Sequence, residues 1–294
     1  MNHAARLRQL LNGPEFILAP GAYDCLTARL VQHAKFDVCY MTGGGTSGAY
    51  LGTPDLGLMT MSEMVDNAGR MANCIDIPLI ADADTGYGNE LNVIRTVREY
   101  EQRGVAGFHI EDQIFPKRCG HFEGKDIVSR EEFLAKIRAA AAARRNKDTV
   151  IIARTDALAV AGLDEAIDRM NACLEAGADV AFLEAATTAE QLAEIPRRIK
   201  GPCLATQNSR GMKTPRLKIE ELKAMGYRIA IFPGLLSRHV FVSCRTVLED
   251  LQRTQNWPKS ACEVETMMDY PSVLGMDQFK KWQTQFRDAA ANDK

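Results

Sequence analysis

The sequence predicts an α/β fold: a closed (β/α)8 TIM-type barrel with a helical extension at its C-terminal end. Short apolar runs of strand length alternate with longer amphipathic stretches, a pattern typical of parallel βαβ units. Eight such units can be counted, which is the number that closes a barrel. The first run is not followed by a GxGxxG turn, so a doubly wound open sheet is the second choice.

The predicted strands are short runs rich in apolar residues. They cover residues 16–20, 37–43, 77–84, 105–112, 149–157, 180–185, 202–207 and 227–234. Ahead of them, Leu7, Leu10 and Leu11 mark one face of a first helix. Ser129, followed by two glutamates, predicts the start of another helix. The run LDEAIDRMNACLEAG has helical periodicity and ends in glycine, a usual stop signal.

The chain has no Pro/Ser-rich linker or low-complexity segment that would divide it. We therefore expect one catalytic barrel over residues 1–258. After residue 258 the pattern changes, and the sequence predicts helices joined by a proline turn. Residues 259–294 are thus predicted to form a helical tail of the same domain that packs between subunits.

Composition narrows the function class. The net charge of −2 argues against a nucleic-acid partner, since such proteins usually carry a basic excess. No apolar run approaches the roughly 18 residues that span a bilayer, so no membrane partner is expected. The eight cysteines are scattered without a CxxC pair, which favours a reducing, cytoplasmic location.

Chemically useful side chains follow nearly every predicted strand. They include Thr42 and Gly43, Asp82 and Asp84, His109, Glu111 and Asp112, Arg154 and Asp156, Glu184, and Thr206. Barrel enzymes build their sites at the carboxyl ends of the strands, so this pattern indicates a single site at the barrel mouth. The alternative is that strand ends turn polar simply because they reach water.

Three of these carboxylates indicate a metal site. Asp82 and Asp84 lie on the same side of one strand because side chains alternate with period two, and Glu111 adds a third carboxylate. Such oxygen ligands suit Mg²⁺ or Mn²⁺ better than zinc, for which no HExxH motif is present. A solvated carboxylate cluster paired with Arg154 is the alternative. The glycine-rich run TGGGTSGAYLG is either an anion-binding backbone or a flexible turn.

Cys119 has an unusual setting in the long loop QIFPKRCGHFEGKD. Lys117, Arg118 and His121 surround it with cations, which favour the thiolate and attract anionic substrates. No second cysteine is near in sequence, which argues against a redox couple. We therefore predict that Cys119 transfers a proton to or from a substrate held by the metal, in a loop that acts as a lid.

Seven motifs together resemble one known family. They are TGGG (42–45), LGTPDLG (51–57), DADTGYGN (82–89), HIEDQ (109–113), KRCGH (117–121), ARTDA (153–157) and FLEA (182–185). The chain resembles the isocitrate lyase/phosphoenolpyruvate mutase superfamily over most of its length. KRCGH marks the lyase branch, and the resemblance points to the 2,3-dimethylmalate lyase and 2-methylisocitrate lyase type. It implies Mg²⁺-dependent cleavage of a 2-hydroxy di- or tricarboxylate into pyruvate and a second carboxylate.

The resemblance implies roles for individual residues. It assigns the metal to Asp82 and Asp84, supported through water by Asp55 and Glu111. It assigns catalysis to Cys119, Lys117, Arg118, His121, Glu111 and Arg154. It assigns substrate binding to Tyr40, Thr42, Gly43, Gly44, Asp82, His109, Gly120, Arg154, Glu184 and Arg238. It further implies a homotetramer in which the C-terminal helix is exchanged between subunits.

One segment departs from the family pattern. In TQNSRGMKTP, Thr206 stands where the lyases usually carry asparagine, and the stretch to Lys213 is about one residue longer. This wall contacts the variable part of the substrate, so the identity of the hydroxy acid stays open.

Other activities fit the same family. They are phosphonomutase chemistry of the carboxyphosphonoenolpyruvate type and hydrolysis or decarboxylation of oxaloacetate. Pro233 stands where serine marks the hydrolases, which argues against hydrolysis. The non-enzyme alternative is a silent carboxylate-binding barrel.

Overall fold

A closed barrel of eight parallel strands forms the centre of the protein. The computed structural model describes residues 2–120, 124–208, 212–261 and 266–292. Each strand pairs with the next, and the last pairs with the first, so the predicted (β/α)8 barrel is confirmed. The strands are β1 (Ile17–Ala22), β2 (Cys39–Met41), β3 (Leu79–Asp82), β4 (Gly107–Glu111), β5 (Val150–Thr155), β6 (Val180–Leu183), β7 (Cys203–Thr206) and β8 (Ile229–Phe232).

Helices precede, connect and follow the strands. They are α1 (His3–Asn12), α2 (Cys25–His33), α3 (Gly43–Tyr50), α4 (Met61–Cys74), α5 (Glu90–Gln102), α6 (Arg130–Ala143), α7 (Ala157–Val160), α8 (Leu163–Glu175), α9 (Ala189–Arg198), α10 (Ile219–Met225), α11 (Leu235–Thr254), α12 (Asp269–Val273) and α13 (Met276–Asn292). In the described ranges, no helix is both long enough and apolar enough to cross a membrane.

The barrel interior is a packed apolar core that α1 closes at the amino ends of the strands. Ile80, Ile152 and Phe182 are buried in one cluster with Leu7 and Leu11 of α1. The predicted first helix is therefore present, and its apolar face covers the barrel floor. This leaves the opposite end, where the strands finish, as the open mouth.

Alternation along the strands decides which side chains reach that mouth. In β4, Phe108 and Ile110 point outward and pack in the layer between strands and helices, together with Phe133 of α6. His109 and Glu111 alternate with them and therefore point into the barrel. The same alternation places the polar ends of the neighbouring strands on one inner surface.

The glycine-rich segment after β2 differs from one of its predicted forms. It is not a flexible turn, because α3 begins at Gly43, directly after the strand. Thr42 is the N-cap, and its Oγ1 accepts a hydrogen bond from the Gly45 N–H at 3.5 Å. Short, small residues let the helix start this close to the strand end. The backbone N–H groups of its first turn thus lie at the mouth.

The chain divides into two compact units, Met1–Arg238 and His239–Lys294. The first unit contains the barrel. The second contains most of α11 together with α12 and α13, and Pro271 lies inside α12 instead of between two helices. None of the 20 residues of α11 is buried. The predicted bounds of the barrel (1–258) and tail (259–294) stay a prediction.

Candidate active site at the barrel mouth

Buried polar residues from five consecutive strands meet at the carboxyl ends of the barrel. Tyr40 comes from β2, Asp82 from β3, Glu111 from β4 and Arg154 from β5, and Glu184 directly follows β6. The register pairs Asp82 with His109 and Glu111 with Arg154, so neighbouring strands deliver these groups at the same height. The predicted convergence of strand-end residues is therefore present.

Asp82 is held by backbone donors. Its Oδ2 accepts from the Gly43 N–H at 3.2 Å, and its Oδ1 accepts from the Asp84 N–H at 2.9 Å. A Cβ atom on Gly43 would lie 2.4 Å from Asp82 Oδ2, so only glycine allows α3 to begin against this carboxylate. Asp84 is also buried, at a φ of 45°. Burial raises the pKa of the Asp84 carboxyl to about 6.

Lys117 places an ammonium group between two of these acids. Its Nζ lies 2.5 Å from Asp55 Oδ1 and 2.7 Å from Asp84 Oδ1. Burial opposes this charge, but Asp84 and Asp55 hold the pKa of Lys117 well above its ordinary value. Lys117 therefore neutralises the acidic cluster in this arrangement.

Arg154 is the second buried cation. Its Nε lies 3.1 Å from Glu111 Oε2 and 3.3 Å from Asp156 Oδ2, and its Nη2 lies 3.9 Å from Glu184 Oε2. The guanidinium also lies over the Phe182 ring, 5.4 Å from the centroid. These contacts fix Arg154 at the mouth, where it can bind an anionic substrate group.

His109 is a neutral hydrogen-bonding group at neutral pH. Burial lowers its pKa to about 4. Its Nε2 lies 2.8 Å from the Tyr40 hydroxyl, and its Nδ1 lies 3.6 Å from Asp82 Oδ1. His109 thus forms a hydrogen bond with Tyr40 and lies beside the predicted metal ligand Asp82 without adding a charge.

The loop that carries Cys119 lies over these groups. The Cys119 N–H donates to the Asp55 carbonyl at 3.2 Å, and the Cys119 side chain is half-buried. A Cβ on Gly120 would lie 2.5 Å from Glu184 Cγ and 2.8 Å from Arg154 Nη2. The backbone at Gly120 therefore sits directly on the two strand-end residues.

Some predicted site residues lie elsewhere or outside the described ranges. Arg118 and Arg238 are exposed, and Arg238 Nη2 lies 3.2 Å from Met212 Sδ. His121 lies outside the described residues, as do residues 209–211 of the divergent segment. Thr206 is buried at the end of β7, and its Oγ1 accepts from Asn208 Nδ2 at 3.2 Å. The roles assigned to these residues stay predictions.

The donor set fits a hard cation. In the part of the chain that the structure describes, no three His, Cys, Asp or Glu side chains enclose a metal position. Oε1 of Glu111 is buried and has no hydrogen-bond partner among the described residues, while Oε2 of Glu111 lies 3.1 Å from Arg154 Nε. Oδ1 of Asp84 lies 2.7 Å from the Lys117 ammonium. Mg²⁺ typically takes one or two carboxylates and retains several waters, which suits these oxygens. The ligand set Asp82, Asp84, Asp55 and Glu111 stays a prediction.

Sequence reasoning assigned no role to several residues beneath the Cys119 loop. Gln113 and Lys125 are buried and contact both the loop backbone and Asp156. The available signal was weak: Gln113 ends the HIEDQ motif, and Lys125 is a lysine near the far end of a long loop. A charged residue in a loop usually faces water, so its burial was not predictable from type alone.

Comparison with known proteins finds relatives in a single superfamily. The family model described as phosphoenolpyruvate phosphomutase matches residues 7–252. A 2,3-dimethylmalate lyase of Eubacterium barkeri is 43% identical over 284 residues, covering 96% of this chain and 97% of that protein. A 2-methylisocitrate lyase of Aeropyrum pernix is 38% identical, covering 98% and 91%. The solved structure of an oxaloacetate acetylhydrolase with 3,3-difluorooxalacetate has a TM-score of 0.92 at 40% identity, covering 97% of each chain.

Proposed function

The chain belongs to the phosphoenolpyruvate mutase/isocitrate lyase superfamily, and from this premise we propose that it is a Mg²⁺-dependent carbon–carbon lyase. Its substrate is a 2-hydroxy di- or tricarboxylate of the 2,3-dimethylmalate or 2-methylisocitrate type. The products are pyruvate and a second carboxylate. Two lyases among the relatives, each matched over nearly the whole chain, support this reaction class.

The observation that carries the proposal is the position of the Cys119 loop over the strand-end residues. The backbone of Cys119 is bonded to Asp55, and Gly120 rests against Arg154 and Glu184. The thiol thus belongs to a segment in direct contact with the cation and acids of the mouth. A proton donor for a carbanion must lie within about 3 Å of the reacting carbon, so this neighbourhood suits a proton-transfer role.

The remaining groups suit the binding of a hydroxy acid. In the first turn of α3, the Gly43 and Gly45 N–H groups already bond Asp82 and Thr42, so the Gly44 N–H is the backbone donor proposed for a carboxylate. Arg154 offers a fixed guanidinium. Asp82 and Asp84 would hold the Mg²⁺, with Asp55 and Glu111 acting through water. When bound, the ion supplies electrostatic stabilisation for negative charge on the substrate oxygens.

Cleavage requires a proton at the departing carbon. The Glu111 carboxylate, beside Arg154, accepts the proton of the substrate hydroxyl as the bond between the carbinol carbon and its neighbour breaks, and the electron pair leaves with the second carboxylate as a carbanion. The Cys119 thiol donates a proton to that carbon and becomes a thiolate. Arg118, next to Cys119 in the chain, favours this thiolate electrostatically, while Lys117 is held by Asp55 and Asp84. The reverse reaction uses the thiolate as the base.

The divergent segment from Thr206 to Lys213 affects which substrate is proposed, and leaves the proposed reaction class unchanged. Thr206 and Asn208 form one hydrogen-bonded pair at the end of β7, on the wall predicted to meet the variable substrate group. An oxaloacetate hydrolase is the second candidate, favoured by the high structural similarity to an oxaloacetate acetylhydrolase. Against it, Pro233 follows β8 with no side-chain hydroxyl. Phosphonomutase chemistry is the third candidate.

Assembly and location complete the proposal. The apolar residues Phe279, Trp282 and Phe286 of α13 are exposed, which supports a C-terminal helix exchanged between subunits of a homotetramer. A reducing, cytoplasmic location is supported by six cysteines of the described ranges that are free thiols: Cys25, Cys39, Cys74, Cys173, Cys203 and Cys244.

A substrate panel tests the reaction class. The protein is incubated with Mg²⁺ and 2,3-dimethylmalate, 2-methylisocitrate, isocitrate, a 2-methylmalate-type acid, oxaloacetate or a phosphonate. Pyruvate is measured with lactate dehydrogenase, glyoxylate as its hydrazone, and oxaloacetate by its own loss. We expect pyruvate from a 2-hydroxy acid, and no pyruvate after chelation with EDTA. Turnover of only the phosphonate, or of only oxaloacetate, refutes the lyase proposal.

The role of Cys119 has its own test. Cys119→Ser is expected to lower cleavage by at least about 1,000-fold while pyruvate binding changes little, because the hydroxyl is a far weaker acid than the thiol. Cys25→Ser, another half-buried cysteine, is the matched control and should retain activity. Cleavage that survives in Cys119→Ser removes the proton-transfer role.

A further inference from the structure

The carboxylate of Asp156, just after β5, is contacted from three directions. Lys125 Nζ lies 2.6 Å from its Oδ1, while Gln113 Nε2 and Arg154 Nε each lie 3.3 Å from its Oδ2. Asp156 is fully buried. One carboxylate therefore connects Arg154 to two residues at the opposite ends of the Cys119 loop.

Gln113 and Lys125 bind the backbone on both sides of Cys119. Gln113 Nε2 donates to the Arg118 carbonyl at 2.9 Å, and Gln113 Oε1 accepts from the Arg118 N–H at 3.0 Å. Lys125 Nζ donates to the Gly120 carbonyl at 2.5 Å. The residues before and after Cys119 are thus each held by a side chain that also contacts Asp156.

The base of the same loop is already closed by backbone bonds. The Ile114 N–H donates to the Asp126 carbonyl at 2.9 Å, and the Val128 N–H donates to the Asp112 carbonyl at 2.9 Å. These two bonds shape the ends of the loop without any help from Lys125. The buried ion pair is also a poor source of stability, because desolvation offsets its attraction. Its contacts instead determine where the Cys119 backbone lies.

We propose that Gln113, Lys125 and Asp156 are positioning residues that set the place of Cys119 relative to Arg154. They act through the backbone at Arg118 and Gly120. The Asp156 carboxylate also orients the Arg154 guanidinium. The proton donor Cys119 and the substrate-binding cation Arg154 are therefore both positioned by Asp156. The inference rests on the proposed function for its kinetic consequence, but the placement of Cys119 can be measured without substrate.

The test compares Lys125→Met with two other variants. Lys125→Arg keeps a cation near Asp156. Lys136→Met is the matched control, because Lys136 is also a buried lysine, and within the described residues its ion pair is with the exposed Glu132 of its own helix, at 3.8 Å. The rate of iodoacetamide alkylation of Cys119 is measured by peptide mass spectrometry. The buried Cys173 and Cys203, whose pKa burial raises to about 12, serve as unreactive internal references.

Lys125→Met is expected to alkylate at Cys119 about 10-fold faster, because the loop backbone loses its anchor at Gly120. Its kcat should fall about 100-fold, with KM changed less than about 3-fold, since a shift of about 1 Å in a catalytic group costs that much. Lys125→Arg should reverse part of both changes, alkylating more slowly and turning over faster than Lys125→Met. Lys136→Met should behave like the wild type.

Wild-type alkylation and wild-type kcat in Lys125→Met would overturn the proposal. If Lys125→Met does not fold, Gln113→Leu provides the same comparison, since it removes both bonds to Arg118. A wild-type protein that cleaves none of the acids would refute the proposed function alone. The alkylation rates would still decide whether these residues position Cys119.

Discussion

Replacing Gly120 by alanine tests whether the Cys119 loop works in the position the structure gives it. A Cβ at this residue would lie 2.5 Å from Glu184 Cγ, 2.8 Å from Arg154 Nη2 and 3.2 Å from Glu184 Cδ. Ordinary van der Waals contact begins near 3.4 Å. The φ of Gly120 lies outside the left-handed region, so alanine is opposed by this contact and not by backbone strain.

The size of the displacement follows from those distances. Moving the Cβ from 2.5 Å to 3.4 Å requires about 0.9 Å, to be absorbed by the loop or by Glu184 and Arg154. A misplacement of about 1 Å in a catalytic group costs about 100-fold in rate, or about 3 kcal/mol in transition-state stabilisation. We therefore expect kcat of Gly120→Ala to fall about 100-fold, while the melting temperature changes by less than about 3 °C, because the barrel core is untouched.

The assay is pyruvate release on the best acid of the panel, with thermal unfolding in parallel. Gly48→Ala is the matched control: a Cβ there meets nothing within 4 Å, and alanine suits its position in α3. Gly48→Ala should keep wild-type kcat and stability. Wild-type kcat in Gly120→Ala would refute the idea that the loop acts in contact with Glu184 and Arg154.

Two further predictions concern stability. His109 has a pKa of about 4 in the folded protein, against 6.5 ordinarily, so its contribution is complete above pH 6.5 and is lost as the pH falls towards 4. This loss amounts to about 3 kcal/mol. In urea titrations at decreasing pH, the free energy of unfolding of His109→Gln should therefore fall less steeply than that of the wild type. Equal slopes for the two proteins would contradict the prediction. Arg228 donates to the carbonyls of Leu10, Leu11 and Pro14 at the end of α1, at 2.8–3.0 Å. Arg228→Met should therefore lower the free energy of unfolding by about 3 kcal/mol, and an unchanged urea midpoint would show that α1 is held without it.

The elements of the barrel were predictable because their signals are local. Apolar runs such as that of β5, VIIART, are short and rich in β-branched residues, and the helices between the strands show apolar residues at helical spacing. The chemistry at the mouth was predictable for a related reason. Strand alternation alone places His109 and Glu111 on one side, and parallel strands must end at one face.

The extent of some elements was not predictable. The residues TGGG have low helix propensity, yet α3 begins at Gly43, because the N-cap at Thr42 and the contact with Asp82 require a small residue there. Propensity describes an isolated segment, and here a contact with a residue 39 positions away decides the conformation.

Local sequence patterns were enough to predict the fold class, the family, and which residue types stand at each strand end. They did not predict which of these groups touch, which depends on the folded barrel. Lys117 lies between Asp55 and Asp84, and Lys125 is buried against Asp156, although their types and neighbours predict exposed loop residues. The physical reason is that periodicity reports which side of an element is apolar. The partner of a buried charge depends instead on where the closed barrel brings distant segments, and no local pattern carries that information.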